Sequence, residues 1–241
     1  MKTTLISGAS SIIGTAIAQK FLEYNHFLIL LVRRKASKSR LTKDLAKYKG
    51  KFIIFQGNLL DKKFIQFLDK NITKVDNLIN NAATRNQKYF TDINMKELND
   101  VININFKSTF QVSQIIAKKM IKHKIQGNII SLSSQLGQLG AYNRTAYCMS
   151  KFALEGLTKS MSLDLSKYKI RVNTISPTKT IINNKKRKES TKLKFIKSKI
   201  PLKKFSTVQE IAGIAYFLTT EEAQSITGTT IATDGGWTAG R

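Results

Sequence analysis

Residues 3–14 read TTLISGASSIIG, and this stretch decides the fold. Thr3–Ser7 has the composition of a short buried strand, and a helical pattern begins at Ile13. Residues 8–11, which are Gly, Ala, Ser and Ser, are small, so the backbone can turn sharply and approach a pyrophosphate that rests on the helix N-terminus. The stretch therefore predicts a phosphate-binding turn, for which an ordinary strand-to-helix turn is the simpler alternative.

The remaining sequence repeats this alternation of short apolar runs and longer helical stretches. Most of the runs are continuously apolar, as in strands that are buried on both faces of a sheet. Strands that alternate with helices are joined by right-handed crossovers. We therefore expect one α/β domain over residues 1–241, a doubly wound parallel sheet of about seven strands with helices on both faces. The predicted strands are Thr3–Ser7, Phe27–Val32, Lys51–Phe55, Val75–Ile79, Asn128–Leu132, Ile170–Ile175 and Thr229–Ala232, and the predicted helices are Ile13–Glu23, Lys38–Tyr48, Lys62–Asn71, Met95–Lys122, Thr145–Tyr168 and Thr207–Thr219.

The composition indicates a soluble chain without disulfide or metal cross-links. Of its 241 residues 41% are hydrophobic, but no apolar run approaches the roughly 18 residues that cross a bilayer. The start has too few apolar residues for a signal peptide, so we expect a cytoplasmic protein with no membrane partner. The single cysteine, Cys148, excludes an internal disulfide, and neither His26 nor His123 has partners at metal-ligand spacing. We expect both histidines at the surface, and Cys148, Met149 and Met161 in the core.

The net charge is strongly positive, since 41 Lys and Arg residues oppose 15 Asp and Glu residues, which gives +26. Such an excess would suit a nucleic acid, an acidic membrane surface or an acidic partner. The positive residues are scattered, as an AT-rich coding sequence would produce, and no nucleic-acid-binding motif accompanies them. We therefore expect no nucleic-acid partner. One segment is denser: Lys179–Lys204 contains eleven Lys or Arg residues and one acid, Glu189.

The residues after the second strand bear on the choice of nucleotide. An acid at this position binds the ribose hydroxyls of NAD, whereas basic residues suit the additional phosphate of NADP. Arg33 and Arg34 follow the strand, and no acid occurs between Phe27 and Arg40. The sequence therefore favours NADP(H) over NAD(H), with Arg33 as the first expected phosphate ligand and Arg34 as the second.

Tyr147 and Lys151 lie four residues apart in a predicted helix, so their side chains share one face. A free phenol titrates near 10, which is too high for proton transfer at neutral pH. A neighbouring ammonium and a positive nicotinamide ring would stabilise the phenolate, so we expect a lowered pKa for Tyr147. Ser134 follows the fifth predicted strand, where its hydroxyl would hold the substrate oxygen. Asn105, on the long helix, would anchor a water that relays protons from Lys151.

Several motifs follow one another in a fixed order: SGASSIIG (7–14), NNAA (80–83), Asn105, Ser133-Ser134, Tyr147-x-x-x-Lys151, RVNTISP (171–177), and Thr227-Gly228 through DGGW (234–237). With these motifs the chain resembles the short-chain dehydrogenase/reductase family over essentially its whole length. The resemblance implies that Tyr147 is the general acid and base, that Lys151 binds the nicotinamide ribose, and that Ser134 orients a carbonyl. It also implies that Asn105 completes the proton relay and that Asn81 approaches the adenosine ribose.

Four positions depart from the family pattern. Ile12, Ala83 and Thr178 stand where glycines are usual, and Asn58 replaces a frequent Asp beside the adenine. A β-branched residue tolerates positive φ poorly, so we expect an ordinary backbone conformation at Ile12. The resemblance also implies that the backbone at 175–180 meets the carboxamide of the nicotinamide. The expected cofactor-binding residues are Gly8, Ser10, Ser11, Ile13, Gly14, Arg33, Arg34, Asn58, Leu59, Asn81, Ala82, Tyr147, Lys151, Pro177 and Thr180.

Residues 180–204 leave the repeating pattern, and the resemblance implies that they form a substrate lid. We call them the lid segment. Their basic residues would steer an acidic substrate or carrier to the site, so a 3-oxoacyl-acyl-carrier-protein reductase is the first interpretation. The apolar residues expected to line or cover the pocket are Ile181, Ile182, Leu193, Phe195, Ile196 and Ile200.

Two other interpretations remain open. A sugar, sugar-acid or polyol dehydrogenase would use Gln135, Gln138 and Asn143 to bind hydroxyl groups. A non-catalytic binding protein that keeps the fold belongs to a different class, and it predicts salt-sensitive binding to nucleic acid with little turnover. The resemblance further implies a homotetramer formed through the segments Met95–Lys122 and Thr145–Tyr168.

Overall fold

The computed structural model describes residues 1–181 and 190–240 and contains the predicted parallel sheet. The strands are β1 (Thr3–Ser7), β2 (Phe27–Val32), β3 (Phe52–Gln56), β4 (Asn77–Asn80), β5 (Asn128–Leu132), β6 (Arg171–Pro177), β7 (Thr180–Ile181), β8 (Ser206–Thr207) and β9 (Thr230–Thr233). Seven of them form one sheet in the order β3-β2-β1-β4-β5-β6-β9, while β7 pairs with β8. The order reverses between β1 and β4, which places a crevice at the carboxyl ends of these strands.

Helices cover both faces of the seven-stranded sheet, and the predicted doubly wound α/β fold is confirmed. Residues of α1, α2 and α8 pack on one face in a single apolar cluster. Residues of α3, α5 and α6 pack in a second cluster on the other face. The helices are α1 (Ile12–Glu23), α2 (Lys35–Asp44), α3 (Lys62–Asn71), α4 (Met95–Ile102), α5 (Ser108–Lys122), α6 (Thr145–Ser166), α7 (Thr191–Ser198) and α8 (Val208–Phe217).

The continuous apolar runs of the sequence are explained by this two-sided packing. Along β1, Leu5 packs among residues of α3 and α5, whereas its neighbour Ile6 faces α1 and α8. Successive side chains of a strand point to opposite faces of the sheet. Because both faces are covered, both sets of side chains must be apolar, as the sequence shows.

The long helix predicted over 95–122 is interrupted in the structure. It consists of α4 and α5, separated by a π-helical turn at Asn103–Lys107 that contains the buried Asn105. A hydrophobic period does not reveal one extra residue in a turn, and such π turns occur often at functional sites. The helix predicted over 38–48 is displaced in the structure: α2 begins three residues earlier, at Lys35, and ends at Asp44, after which Ala46–Tyr48 form a 3₁₀ turn.

Two predicted burial states are wrong. His26 was expected at the surface, but its ring is buried, contacts Thr4 Oγ1 at 2.9 Å, and packs edge-on against Phe21. Met149 was expected in the core, but 43% of it is exposed on α6, while Cys148 beside it is buried as expected. Single residues such as these carry no periodic signal, so their burial depends on tertiary neighbours.

The lid segment lies partly outside the described residues. Its described part contains β7 and α7, and β8 follows it; local sequence patterns predicted none of the three. Ile182 lies outside the described range, Phe195 is exposed, and Ile200 is fully buried. Their expected role in lining or covering a pocket stays a prediction. Over the described ranges, no helix has the length and apolar character needed to span a membrane.

Candidate active site

The loop after β1 bends back tightly over the start of α1. Gly8 has a φ of +61°, which L side chains rarely adopt, and a Cβ there would lie 2.8 Å from the Cα of Ala82. The Ser11 hydroxyl caps α1 by accepting a hydrogen bond from the N–H of Gly14 at 3.0 Å. A Cβ on Gly14 would lie 2.5 Å from the Gly8 carbonyl oxygen. Both glycines are therefore needed for the loop to fit against the helix.

The start of α1 fits the pyrophosphate of a dinucleotide. Ile12 and Ile13 are the first two helical residues, so their N–H groups have no acceptor within the helix. The helix dipole adds a positive potential at this end. Ile12 adopts the ordinary helical conformation that we expected, and half of its side chain is exposed.

A cleft opens at the carboxyl ends of β1, β2 and β4, next to this loop. Its walls are largely apolar, as a site for a flat nucleotide base requires. Of the expected cofactor residues, it brings together Gly8, Arg33, Asn58, Leu59 and Ala82. The full lining consists of Gly8, Leu31, Val32, Arg33, Gly57, Asn58, Leu59, Leu60, Ala82, Ile104 and Ser108.

Three arginines lie near the end of β2, and they have different positions. Arg33 lines the cleft and is exposed, so its guanidinium is available to an anion. Arg34 is the residue that precedes α2 and does not line the cleft. Arg40 was not singled out from the sequence; its Nη2 donates to the carbonyl oxygen of Ser10 and so ties α2 to the glycine loop. No local pattern distinguished Arg40, because its contact depends on how α2 packs beside the loop.

Asn81 is committed to the glycine loop. Its Nδ2 lies 2.8 Å from the Gly8 carbonyl oxygen and 3.0 Å from Ser11 Oγ, and its backbone N–H donates to Ser7 Oγ. These bonds join the end of β4 to the end of β1. Contact of Asn81 with a ribose stays a prediction, whereas its role in holding the loop follows from the geometry.

Tyr147, Ser134 and Lys151 converge at the carboxyl end of β5. The Ser134 hydroxyl interacts with the phenol of Tyr147. Lys151 is 3% exposed, and its Nζ donates to the carbonyl oxygen of Leu132 at 2.6 Å. The same Nζ lies 5.6 Å from the centroid of the Tyr147 ring. The predicted trio is therefore assembled around one point at the edge of the crevice.

The pKa of Tyr147 differs from the expectation. Burial raises it above its ordinary value, and the effects of Arg85 and Ser134 oppose this rise only in part. The pKa of Lys151 falls to about 8, chiefly because the ammonium is buried. The expected lowering for Tyr147 is therefore wrong for the protein alone, because loss of solvation outweighs the neighbouring charges.

Asn105 lies at the π turn, where both ends of its side-chain amide are bonded. Its Nδ2 donates to the carbonyl oxygen of Thr84 at 3.0 Å and to Ser150 Oγ at 2.9 Å, while its Oδ1 accepts from Thr84 N–H at 2.7 Å. Ser150 in turn donates to the carbonyl oxygen of Tyr147 at 2.8 Å. These contacts connect the loop after β4 to the helix that carries Tyr147 and Lys151.

The remaining expected positions lie at the same edge of the sheet. Pro177 ends β6 and is buried, and Thr180 begins β7, where its Oγ1 donates to the carbonyl oxygen of Thr178 at 3.3 Å. Ala83 and Thr178 do not have positive φ, so neither position requires the glycine that is usual there. The substitutions are therefore accommodated without backbone strain.

Two charged residues near the trio were missed by sequence reasoning. Arg85 follows the NNAA motif closely and affects the pKa of both Tyr147 and Lys151. Glu155 is one helical turn beyond Lys151 on α6 and is buried. The four-residue spacing from Lys151 was a usable signal for Glu155. No local pattern indicated Arg85, because its position depends on the path of the loop after β4. In the described ranges, no group of three or more His, Cys, Asp or Glu residues could hold a metal ion.

Known proteins match nearly the entire chain. The family model described as enoyl-(acyl carrier protein) reductase covers residues 8–238. A 3-oxoacyl-acyl-carrier-protein reductase of Buchnera aphidicola is 34% identical, with 98% of each chain covered. The L-xylulose reductase of Mus musculus is 37% identical, with 70% of each chain covered.

Solved structures are also similar to this chain over nearly its whole length. ElxO with NADP bound has a TM-score of 0.87 and 26% identity, covering 99% of each chain. A 4-hydroxyisoleucine dehydrogenase complexed with NADH has a TM-score of 0.86 and 30% identity, covering 100% of each chain. The seven-stranded parallel sheet fits these matches. The chain belongs to the short-chain dehydrogenase/reductase family and is an NAD(P)-dependent oxidoreductase.

Proposed function

We propose that the protein is an NADP(H)-dependent reductase of a small carbonyl substrate, of the 3-oxoacyl-acyl-carrier-protein reductase kind. The observation that carries this proposal is the convergence of Tyr147, Ser134 and Lys151 beside a cleft that contains Arg33. A phenol with an ordinary pKa near 10 is already protonated at neutral pH, and the burial that raises the pKa of Tyr147 leaves it so. A protonated phenol is the form needed by a proton donor in carbonyl reduction.

Each residue has a separate task in the proposed reaction. Ser134 and Tyr147 hold the carbonyl oxygen by hydrogen bonds, and Tyr147 gives its proton to that oxygen. Lys151 binds the nicotinamide ribose and stabilises the phenolate that remains. A bound nicotinamide supplies the hydride. Asn105 fixes the loop and helix that line the proton path, through Thr84 and Ser150.

The glycine loop is proposed to bind the cofactor through Ser10, Ser11 and Ile13, with Arg33 on the additional phosphate of NADP. The NADP-bound relative supports this choice, although the NADH-bound relative shows that similar chains take either nucleotide. Titration of nicotinamide fluorescence tests it. Arg33→Ala should weaken NADPH binding about 10-fold or more, as for the loss of a charged hydrogen bond. NADH binding and a Lys38→Ala control should change little. Equal loss for both nucleotides would contradict the proposal.

The identity of the substrate is proposed from charge and from the relatives. The lid segment is rich in Lys and Arg, which suits an acidic carrier. The relative from Buchnera aphidicola reduces a 3-oxoacyl group on such a carrier, as its name states. Assays with NADPH should therefore show faster turnover of 3-oxoacyl thioesters on acyl-carrier protein than of pentuloses.

A sugar or polyol substrate is the second candidate. The similarity to L-xylulose reductase favours it, and so does Gln135, whose buried Oε1 has no hydrogen-bond partner. Faster turnover of a ketose than of any thioester would establish this candidate in place of the first. Gln135→Leu would then raise KM for the ketose, since a hydroxyl contact would be lost.

The tetramer is proposed from exposed apolar residues on the two expected interface helices. Phe110 on α5 is 43% exposed, while Met149, Phe152 and Leu163 on α6 are 43%, 48% and 77% exposed. Contact with a second copy would remove them from water. Analytical ultracentrifugation should give four times the chain mass of 27.1 kDa, and a monomer at micromolar concentration would contradict the proposal. Cell fractionation should place the protein in the cytoplasm.

A further inference from the structure

Glu155 is a buried acid beside the proposed catalytic centre. It lies one turn after Lys151 on α6, and the two residues are 9% and 3% exposed. Side chains four residues apart share a helix face. Of the described Asp, Glu, Lys and Arg residues, the buried ones are Lys151, Glu155 and Asp234. Glu155 is thus the buried acid on the helix face that carries Lys151.

The carboxylate of Glu155 is held by two neighbouring strands. Its Oε2 accepts hydrogen bonds from Thr174 Oγ1 on β6, at 2.7 Å, and from Thr230 Oγ1 on β9. The two hydroxyls also contact each other at 2.9 Å. These bonds fix the carboxylate behind α6, although neither hydroxyl carries a charge that would balance it.

The second carboxylate oxygen has no hydrogen-bond partner. Glu155 Oε1 and Ser133 Oγ are both buried and unpaired. A Cβ on Gly137 would lie 3.1 Å from the first atom and 2.7 Å from the second, and 3.2 Å from the carbonyl oxygen of Lys151. The free face of the carboxylate therefore lies under the turn that begins at Ser134 and against the backbone of Lys151.

An unbalanced buried charge is costly, which makes this arrangement informative. A buried carboxylate is retained when an opposite charge lies near it. The ammonium of Lys151 donates to the carbonyl oxygen of Leu132 and not to Glu155, so the two charges interact through space rather than as a contact pair. Of the charged groups that act on Lys151, Glu155 favours the ammonium while Arg85 opposes it, and burial opposes it most.

We propose that Glu155 is a positioning residue, the buried counter-charge that keeps Lys151 protonated at neutral pH. The inference deepens the proposed function, on which the role of Lys151 rests. Without the carboxylate, burial and Arg85 act unopposed, and Lys151 loses its proton nearer to neutral pH. A neutral amine neither stabilises the Tyr147 phenolate by charge nor serves as a strong donor to a ribose.

The test uses the apo protein, so it does not depend on turnover. The unfolding free energy of wild type is measured by urea from pH 6 to 10.5 and compared with that of Lys151→Met. The difference isolates the titration of Lys151, whose pKa is about 8 in the folded protein. This difference begins to rise at the folded pKa of Lys151, and in the Glu155→Gln background the onset of the rise should lie about 1 pH unit lower. Asp164→Asn, which removes an exposed carboxylate of α6, should leave the onset unchanged.

An unchanged onset of the rise in Glu155→Gln would overturn the inference. If that variant does not fold, Glu155→Asp keeps the charge but withdraws it by one methylene. A smaller downward shift is then expected, and no shift would again overturn the inference. In the active enzyme, Glu155→Gln should also shift the alkaline side of the pH profile of kcat to lower pH. If Glu155→Gln shows the expected shift in the apo protein but the wild type reduces no carbonyl substrate, only the proposed function is refuted.

Discussion

Acidification is expected to destabilise the protein through His26, whose ring is buried beside β1 and the end of α1. The ring contacts Thr4 Oγ1 at 2.9 Å and packs edge-on against Phe21, with ring centroids 5.0 Å apart. Burial lowers the pKa of His26 from 6.5 to about 4, and Lys2 adds to this effect while Asp76 opposes it. The folded protein therefore holds a neutral imidazole where the unfolded chain accepts a proton.

The sign and the size of the change in unfolding free energy follow from this difference in proton binding. Between the unfolded pKa of 6.5 and the folded pKa of about 4, the unfolded chain binds more protons at His26. The stability that the neutral His26 contributes is thus fully present above pH 6.5 and is lost as the pH falls towards 4. At about 1.4 kcal/mol per pH unit the loss approaches 3 kcal/mol, and solvent screening near the surface reduces it to about 2 kcal/mol.

Urea unfolding at pH 7 and pH 4 measures this loss. Wild type and His26→Gln are compared, because carboxylates that titrate in the same range contribute equally to both proteins. The unfolding free energy of wild type should fall by about 2 kcal/mol more than that of His26→Gln. Parallel losses in the two proteins would refute the reasoning.

Three further predictions concern the site and the assembly. Gly14→Ala should abolish NADPH binding in a fluorescence titration, because its Cβ would lie 2.5 Å from a backbone oxygen; Gly140→Ala, with open space around it, should bind normally. Lys151→Met should be more stable relative to wild type at pH 7 than at pH 10.5, by about 3 kcal/mol in urea unfolding. The sign follows because the folded pKa of about 8 lies below the ordinary 10.5, so wild type gains stability as the pH rises between them; a constant difference would contradict it. Phe152→Lys should lower the sedimentation coefficient, and an intact tetramer would show that this face of α6 is not an interface.

The sequence was sufficient for the sheet and for the loop at its crevice. Strands buried on both faces must be apolar throughout, so β1 and β2 were predicted with their observed bounds. The glycine loop was also predictable, since Gly8 and Gly14 occupy positions where a Cβ would collide with the backbone. In both cases the local constraint is severe enough to select one kind of residue.

Features that depend on distant neighbours were not predictable in the same way. The π turn at Asn105 is accompanied by bonds to Thr84 and Ser150, which lie 21 and 45 residues away in the chain. The raised pKa of Tyr147 results from burial, a property of the whole fold. Arg40 reaches the glycine loop only because α2 packs beside it.

The most direct test of the proposed reaction is the oxidation of NADPH by wild type and by Tyr147→Phe with a 3-oxoacyl thioester. The phenylalanine variant keeps the ring but removes the proton donor. Both proteins should bind NADPH with similar affinity, while the variant should turn over at least 100-fold more slowly, within the range expected for loss of a general acid. Equal turnover in the two proteins, with equal NADPH binding, would show that Tyr147 is not the proton donor.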